Sequence, residues 1–209
     1  MTATFDHIAF TASDRAVGRQ AFKDATGFLL PLGGEHPSMG THNCLSRLGR
    51  DTFLELITVN PRGMNPIRPR WFNLDNLPPN TPLTTHAIIL RSNHIIEDLN
   101  KARDLGIDLG EPVSLCRDGL RWKFAVRQDG TIPLVGTAPM IMQWEKPVPH
   151  PALKMTDQHI RLIAITLSSP HAALLTDLYK ALGWTDLTII EGAPKLSVTL
   201  EINQKLVTL

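Results

Sequence analysis

The chain has 209 residues, of which 43% are hydrophobic and 20% are charged, and its formal net charge is +1. This balance is typical of a globular protein and excludes a largely disordered chain. The charge is close to neutral and no long run of Lys or Arg occurs, which argues against nucleic acid or an anionic membrane as the partner.

The sequence also carries no signal for a membrane or for secretion. No apolar stretch approaches the roughly 18 residues that span a bilayer, and the N-terminus lacks a basic segment followed by an apolar one. The two cysteines, Cys44 and Cys116, are too few for a disulfide framework and lack CxxC spacing. These features predict a cytoplasmic protein with free thiols.

Three segments of the chain begin alike, each with a short apolar run, a polar break and a helix-length segment that ends at a glycine. They are residues 6–28, 85–107 and 161–184. The distance from His7 to Gly27 equals that from His86 to Gly106, at 20 residues, and Leu162 lies 21 residues before the third glycine. Such matched spacing indicates an internal repeat. Glycine at a helix end suits the left-handed conformation that closes a helix.

Strand-like stretches follow each glycine, so each segment extends into a βαβββ-like unit. The predicted units are residues 1–60, 83–146 and 155–209, with a proline-rich segment between the first two. The stretch Leu120–Val126 alternates apolar and basic residues, which indicates a strand buried on one face. Arg121 on its other face is a candidate for binding a carboxylate on a substrate, and an exposed basic stripe is the alternative.

Three motifs in the first unit carry a resemblance to a known family. They are the opening Asp6-His7-Ile8-Ala9-Phe10, the loop Gly33-Gly34-Glu35-His36-Pro37 with Gly40-Thr41-His42-Asn43, and the strand Thr52-Phe53-Leu54-Glu55-Leu56-Ile57. Together they resemble the glyoxalase-like domain family of the vicinal-oxygen-chelate superfamily, the glyoxalase, bleomycin resistance and dioxygenase type. The resemblance covers roughly residues 4–145.

The resemblance implies an α+β fold in which repeated βαβββ modules form a curved mixed sheet around a cleft. A third, partial module would lie at the C-terminus. Many members of the superfamily hold one divalent metal, which chelates two neighbouring oxygens of a small substrate and acts as a Lewis acid. Members often form dimers, so the resemblance leaves a homodimer open.

Four residues are candidate ligands for a Zn, Ni, Mn or Fe ion. Strand alternation places His7 on the cleft face of its strand, with His86 at the equivalent position of the second unit. Imidazole nitrogens bind these metals well. Glu55 lies within an apolar strand, where a carboxylate is costly to bury without a metal or a cationic partner, and it matches the family's glutamate ligand. Alignment with Glu55 makes Gln143 the fourth candidate.

The fourth position raises the question of a catalytic base. A glutamine can coordinate through its amide oxygen but cannot accept a proton at neutral pH. Glu145 shares the face of Gln143 and is the alternative, so Glu55 and Glu145 are the candidate catalytic residues. Further residues are candidates for substrate binding: His36, Thr41, Asn43, Phe53 and Arg121.

Three functional hypotheses follow. The first is a divalent-metal-dependent enzyme, a lyase, an isomerase or a dioxygenase, that acts on a small oxygenated metabolite. The second is a non-catalytic protein of the same fold that binds a small molecule, which the glutamine at position 143 favours. The third is a dimerisation or regulatory module in which the third unit closes the cleft.

Overall fold

The computed structural model describes residues 3–145 and 149–209. Residues 3–144 contain an eight-stranded mixed sheet. Its strands are β1 (Ala3–Thr11), β2 (Leu32–His36), β3 (Thr41–Arg47), β4 (Phe53–Val59), β5 (Thr84–Ser92), β6 (Glu111–Arg117), β7 (Leu120–Val126) and β8 (Met140–Trp144).

The strand order of this sheet shows the repeat directly. The order is β2-β3-β4-β1-β5-β8-β7-β6, so each set of four strands is arranged alike from the centre to its own edge. β1 pairs in parallel with β4, β5 pairs in parallel with β8, and the antiparallel pair of β1 and β5 joins the two halves. The curved mixed sheet predicted by the resemblance is therefore confirmed.

The three long helices each follow the first strand of a unit and end next to the glycine predicted to close them. They are α1 (Arg15–Thr26), α2 (Ile95–Asp104) and α4 (Ala172–Leu182), while α3 (Pro133–Gly136) is a single turn. Asp14 caps α1, because its Oδ1 accepts hydrogen bonds from the backbone N–H groups of Ala16 and Val17. Gly27, Gly106 and Gly183 all have positive φ angles, as C-terminal caps require.

The first helix shows how the sheet divides into two faces. Ile8 and Phe10 are fully buried on the face of β1 that α1 covers, where the rings of Phe10 and Phe22 meet edge to face at 5.8 Å. Burying each of these side chains contributes roughly 2–3 kcal/mol to folding. Because side chains alternate along a strand, His7 and Ala9 point to the opposite face, where the cavity described below lies.

The third unit forms a separate four-stranded sheet of order β10-β9-β11-β12. Its strands are β9 (Arg161–Ser169), β10 (Thr188–Glu191), β11 (Lys195–Ile202) and β12 (Lys205–Thr208). Its helix α4 packs against α2, and β11 contacts β5, so this unit attaches to the second half of the large sheet.

Three short 3-10 turns lie in the connections, at Pro37–Met39, Trp71–Asn76 and Pro151–Lys154. The second of these belongs to the long proline-rich segment and brings Trp71 and Phe72 into the interior. Among the described residues, no helix is long and apolar enough to cross a membrane.

Candidate functional site

A narrow cavity lies on the face of the large sheet that α1 leaves open. It holds about 430 Å³ of empty space, part of which is open to solvent. The first half of the sheet and its loops contribute His7, His36, Asn43, Leu45, Phe53 and Glu55; the rest of the lining is Trp71, Phe72, Arg117, Trp122, Phe124, Met142, Trp144 and Pro151. The lining is thus mainly aromatic, with a small polar cluster, as in many ligand pockets.

A β-bulge in β1 places Asp6 behind the cavity wall. Phe5 pairs with Leu90 and His7 pairs with Ile89, so Asp6 is an extra residue without a partner in β5. A bulge re-aims the side chains at its position. It allows the consecutive residues Asp6 and His7 to meet, with His7 Nδ1 2.7 Å from Asp6 Oδ1.

Asp6 is completely buried and serves as the acceptor of a hydrogen-bond cluster. Its Oδ2 accepts from Trp144 Nε1 at 2.8 Å and from His150 Nε2 at 3.1 Å. The backbone N–H of Ala152 donates to His150 Nδ1, so the hydrogen of a neutral His150 ring is on Nε2, facing Asp6. One carboxylate therefore links β1 with the end of β8 and with the segment before the third unit.

Glu55 lies beside His7 on the cavity wall. His7 Nε2 is 3.3 Å from Glu55 Oε2, which is ion-pair distance, but the angles do not make a hydrogen bond and Nε2 is buried without one. Glu55 Oε1 accepts a hydrogen bond of 2.6 Å from Asn43 Nδ2, and Asn43 Oδ1 in turn accepts from the Gly34 backbone. Asn43 approaches so closely that a Cβ at Gly33 would lie 2.2 Å from its Oδ1, which explains the glycine.

The buried ionisable groups of this cluster hold one another in their charged forms. Burial acts to lower the pKa of His7, but the hydrogen bond with Asp6 and the negative charges of Asp6 and Glu55 outweigh it and raise the pKa to about 9. Burial likewise acts to raise the pKa of Asp6, yet its hydrogen bonds with His150 and His7 hold it well below its usual range. Burial acts to raise the pKa of Glu55, but the positive charge of His7 and the hydrogen bond from Asn43 outweigh it, so this pKa is lowered.

A second polar chain reaches the cavity from the loop before β3. Arg117 Nη1 donates to His36 Nε2 at 3.0 Å, so the hydrogen of the His36 ring is on Nδ1 and donates to Thr41 Oγ1 at 3.0 Å. Trp71 Nε1 donates to the same hydroxyl at 3.3 Å. Burial lowers the pKa of His36 to about 4, and Arg117 and His7 add to this effect against the charge of Glu55, so this ring is neutral.

Aromatic rings complete the cavity and limit the shape of its contents. The ring of His7 stacks on Phe53, with centroids 4.3 Å apart. On the other side, Trp122 pairs with Trp144 across β7 and β8, and Trp71 packs against Phe124 at 5.0 Å. Such walls favour a flat ligand whose faces can contact the rings.

The four predicted metal ligands do not come together. His86 is the extra residue of a second bulge, because Ala9 pairs with Ala87 while Phe10 pairs with Thr85. Its Nε2 donates to the backbone carbonyl of Phe72 at 2.6 Å, outside the cavity. The bulge turns the His86 side chain away from the cavity, so His86 and His7 occupy equivalent positions in the sequence but not in the structure.

Gln143 lies on the face of β8 opposite the cavity. Trp122 pairs with Trp144, while Gln143 pairs with Lys123, and only the first pair lines the cavity. The amide oxygen of Gln143 accepts from the Ile95 backbone N–H at 2.9 Å, at the start of α2. The side chain thus satisfies one of the free N–H groups of a helix N-terminus, which accounts for a glutamine here.

The other predicted residues divide between the cavity and its surroundings. His36, Asn43 and Phe53 line the cavity. Thr41 lies behind His36, Glu145 borders a surface hollow near Asp51 and Arg91, and Arg121 is exposed.

Three polar residues of the site are absent from the predicted set: Asp6, Arg117 and His150. Asp6 offered a signal in the sequence, because a carboxylate inside the apolar opening strand needs a buried partner just as Glu55 does. Arg117 and His150 offered none. Arg117 lies 81 residues from its contact His36, and His150 lies 144 residues from its contact Asp6, so neither contact can be seen in local sequence.

The donors present do not fit the four-ligand metal centre that the resemblance implied. Of the four, only His7 and Glu55 lie together, with Nε2 3.3 Å from Oε2, while His86 and Gln143 are engaged elsewhere. Within residues 3–145 and 149–209, no group of three or more His, Cys, Asp or Glu side chains is arranged to hold a metal ion.

Comparison with known proteins places the chain in a family. The model of a glyoxalase-like domain matches residues 5–183. A search of the curated proteins finds no match. Among solved structures, a hypothetical protein from Staphylococcus aureus is 18% identical, with a TM-score of 0.58, and the match covers 100% of this chain and 84% of that one.

Two further structures are enzymes with lower TM-scores. Methylmalonyl-CoA epimerase from Mycobacterium tuberculosis is 16% identical, with a TM-score of 0.42, over 71% of this chain and 90% of its own. A Mn(II)-bound glyoxalase from Novosphingobium aromaticivorans is 10% identical, with a TM-score of 0.49, over 93% of this chain and 64% of its own. The family match spans most of the chain, and the strand order agrees with it. The chain belongs to the glyoxalase-like domain family.

Proposed function

We propose that this protein binds a small, flat molecule carrying two neighbouring oxygen atoms, and that His7 and Glu55 hold those oxygens. One observation carries the proposal: His7 Nε2 is buried without a hydrogen bond, 3.3 Å from Glu55 Oε2, on the wall of an aromatic cavity. A buried polar atom without a partner costs roughly 1–3 kcal/mol, which a bound ligand would recover.

The two side chains offer complementary hydrogen bonding at a short spacing. The protonated His7 ring donates through Nε2, and the ionised Glu55 carboxylate accepts through Oε2. A molecule with one acceptor oxygen and one hydroxyl on adjacent carbons can satisfy both at once. A single hydroxyl can bridge the two groups, but two adjacent oxygens give each group an oxygen of its own, so they should bind more tightly than one oxygen or two distant ones.

Catechol is a suitable probe, because it is flat and carries two adjacent hydroxyls, while resorcinol carries the same groups further apart. Three tryptophans line the cavity, so binding can be followed by tryptophan fluorescence excited above the absorption of the probes. We expect catechol to bind at least tenfold more tightly than resorcinol. Glu55→Gln and His7→Gln should each weaken catechol binding at least tenfold, because each removes a charged hydrogen-bonding partner.

Glu145→Gln is the matched control for Glu55→Gln, because it makes the same change outside the cavity. It should leave catechol binding unchanged. The titrations start with chelator-treated protein and are repeated after addition of one equivalent of Mn²⁺ or Zn²⁺. Equal affinity for the two probes would contradict the proposal, and so would catechol binding that occurs only after the metal is added.

Proton transfer on the bound molecule is a second candidate function. The observation that favours it is that a protonated His7 ring and an ionised Glu55 carboxylate lie 3.3 Å apart on the cavity wall, so a proton donor and a proton acceptor face the same bound molecule. On an α-hydroxyketone, Glu55 would remove the proton from the hydroxyl-bearing carbon, and His7 would donate its proton to the carbonyl oxygen. The product is a neutral enediol, and the reverse steps return a proton to either carbon.

Hydroxyacetone in D₂O tests this step, because each reversal replaces a carbon-bound proton by deuterium. We expect ¹H NMR to show loss of the CH₂OH signal faster with the protein than in buffer alone. Glu55→Gln should reduce the enzymatic rate by at least 100-fold, since it removes the base, whereas Glu145→Gln should retain it. Exchange at the buffer rate with the native protein would exclude proton transfer on this substrate and leave the binding proposal to the catechol experiment.

A further inference from the structure

A second, wider cavity lies between the large sheet and the third unit. Its empty space is about 1350 Å³, part of which is open to solvent, compared with about 430 Å³ for the cavity at His7. Its apolar surface includes Leu83 just before β5, Ile132 just before the turn α3, Val135 in that turn and Leu196 in β11. This interdomain cavity exists only because the third unit packs beside the second half of the large sheet.

Polar atoms without partners line the same cavity. Thr85 is 8% exposed, and its Oγ1 is buried with no hydrogen-bond partner. His86 also lines the cavity, and because its Nε2 carries the hydrogen that bonds to Phe72, its Nδ1 remains an acceptor. Adjacent residues thus offer one hydroxyl and one acceptor nitrogen. Among the described residues that line the cavity, Lys195 alone has a charged side chain, and it is exposed. Burial lowers the pKa of His86, so its ring is neutral.

The wall opposite these residues has a strained backbone. Leu134, Val135 and Gly136 all have positive φ angles, between 53° and 83°. For Leu and Val this conformation costs roughly 1–2 kcal/mol each, and such strain concentrates at ligand sites. The turn is held by Thr137 Oγ1, which donates to the Leu134 carbonyl and lies 2.9 Å from Ser169 Oγ of the third unit.

We propose that the interdomain cavity is a second ligand site, for a small apolar molecule with a neutral hydroxyl head. The hydroxyl would accept from Thr85 Oγ1 and donate to His86 Nδ1, while the apolar body contacts Leu83, Ile132 and Leu196. A carboxylate head has no proton to donate to His86 Nδ1, and an ammonium head would bring an uncompensated charge against a mainly apolar lining, so the site selects against both. The proposal is independent of the function proposed for the cavity at His7.

Three six-carbon probes test the head group: 1-hexanol, hexanoate and hexylammonium. Each is titrated into the ¹⁵N-labelled full chain and followed by amide chemical shifts. We expect 1-hexanol to shift amides of residues 83–86 and 131–137 in a saturable way, at least fivefold more tightly than the charged probes. Thr85→Val, which keeps the side-chain shape and removes the hydroxyl, should weaken 1-hexanol binding about fivefold, the value of one hydrogen bond.

Two further variants separate this site from general effects. Thr58→Val is the matched control, because Thr58 Oγ1 is also buried without a partner but lies outside this cavity; it should leave the affinity unchanged. Thr84→Trp places a large ring in the cavity from an exposed strand position and should abolish the shifts. Equal affinity for the three probes, equal effects of Thr85→Val and Thr58→Val, or shifts that persist in Thr84→Trp would overturn the proposal.

Discussion

Replacing Asp6 by alanine is expected to lower the free energy of unfolding by about 4 kcal/mol. The carboxylate is completely buried and accepts hydrogen bonds from His7, Trp144 and His150. Its removal leaves the donors of His7, Trp144 and His150 without their acceptor and the buried His7 imidazolium without its main counter-charge, a class of change that costs roughly 3–5 kcal/mol. For a chain of this length, the melting temperature should fall by about 10 °C, measured by calorimetry.

Asp51→Ala is the matched control, because Asp51 is an exposed carboxylate that pairs with Arg91. It should cost less than about 1 kcal/mol, as exposed ion pairs do. Similar losses in the two variants would show that the buried cluster does not stabilise the fold.

The difference in unfolding free energy between the native protein and Asp6→Ala should also depend on pH, which tests the charged pair of His7 and Asp6. The pKa of His7 is raised from 6.5 to about 9, so its stabilising effect is complete below pH 6.5 and is lost as the pH rises through 9. The pKa of Asp6 is lowered from 3.8, so its effect is complete above pH 3.8 and is lost as the pH falls through the lowered value. The gap between native protein and Asp6→Ala should therefore be widest between pH 3.8 and 6.5 and narrower above pH 9. A gap independent of pH would contradict the charged pair.

The general fold could be predicted because its signals are local. The three terminal glycines fall where left-handed caps close the helices, and equal spacing from His7 and His86 to those glycines reflects two units of the same design. The alternation along β7 also predicted correctly that one face is buried, which carries Trp122 and Phe124. Arg121, the candidate for substrate binding, lies on the opposite face of β7 and is exposed.

The candidate site could be predicted where the strands of the first unit pair regularly. His7 and Glu55 share the cavity because β1 and β4 run in parallel with regular pairing from His7 to Thr11. His86 and Gln143 depend on the bulge in β5 and on the pairing of β8 with β7, which sequence spacing does not reveal. Bulges and cross-strand registers arise from long-range packing, so a match in repeat position did not place these two side chains in the cavity.

Replacing Gly130 by alanine is expected to lower the free energy of unfolding by roughly 3–5 kcal/mol and to disorder the aromatic wall of the cavity. A Cβ at this position would lie 2.2 Å from the carbonyl oxygen of Arg70, and the φ angle is +72°. The positive φ costs an alanine about 1–2 kcal/mol, and forcing the backbones apart costs roughly 1–3 kcal/mol more. The Gly130 carbonyl also accepts from the Asn73 N–H at 2.8 Å, so the segment that carries Trp71 and Phe72 would move with it.

Gly119→Ala separates the two contributions, because Gly119 has a φ angle of +78° and no atom within 4 Å of an added Cβ. It should cost only about 1–2 kcal/mol and leave tryptophan fluorescence and catechol binding intact. Chemical denaturation of both variants gives the two free energies, and the excess loss in Gly130→Ala measures the close approach to Arg70. Equal losses in the two variants would mean that the proline-rich segment yields to the added methyl group. In that case the packing of residues 70–73 against Gly130 would not be required to hold Trp71 and Phe72 in the cavity. Their position would depend instead on the contacts of their rings with Phe124 and His36.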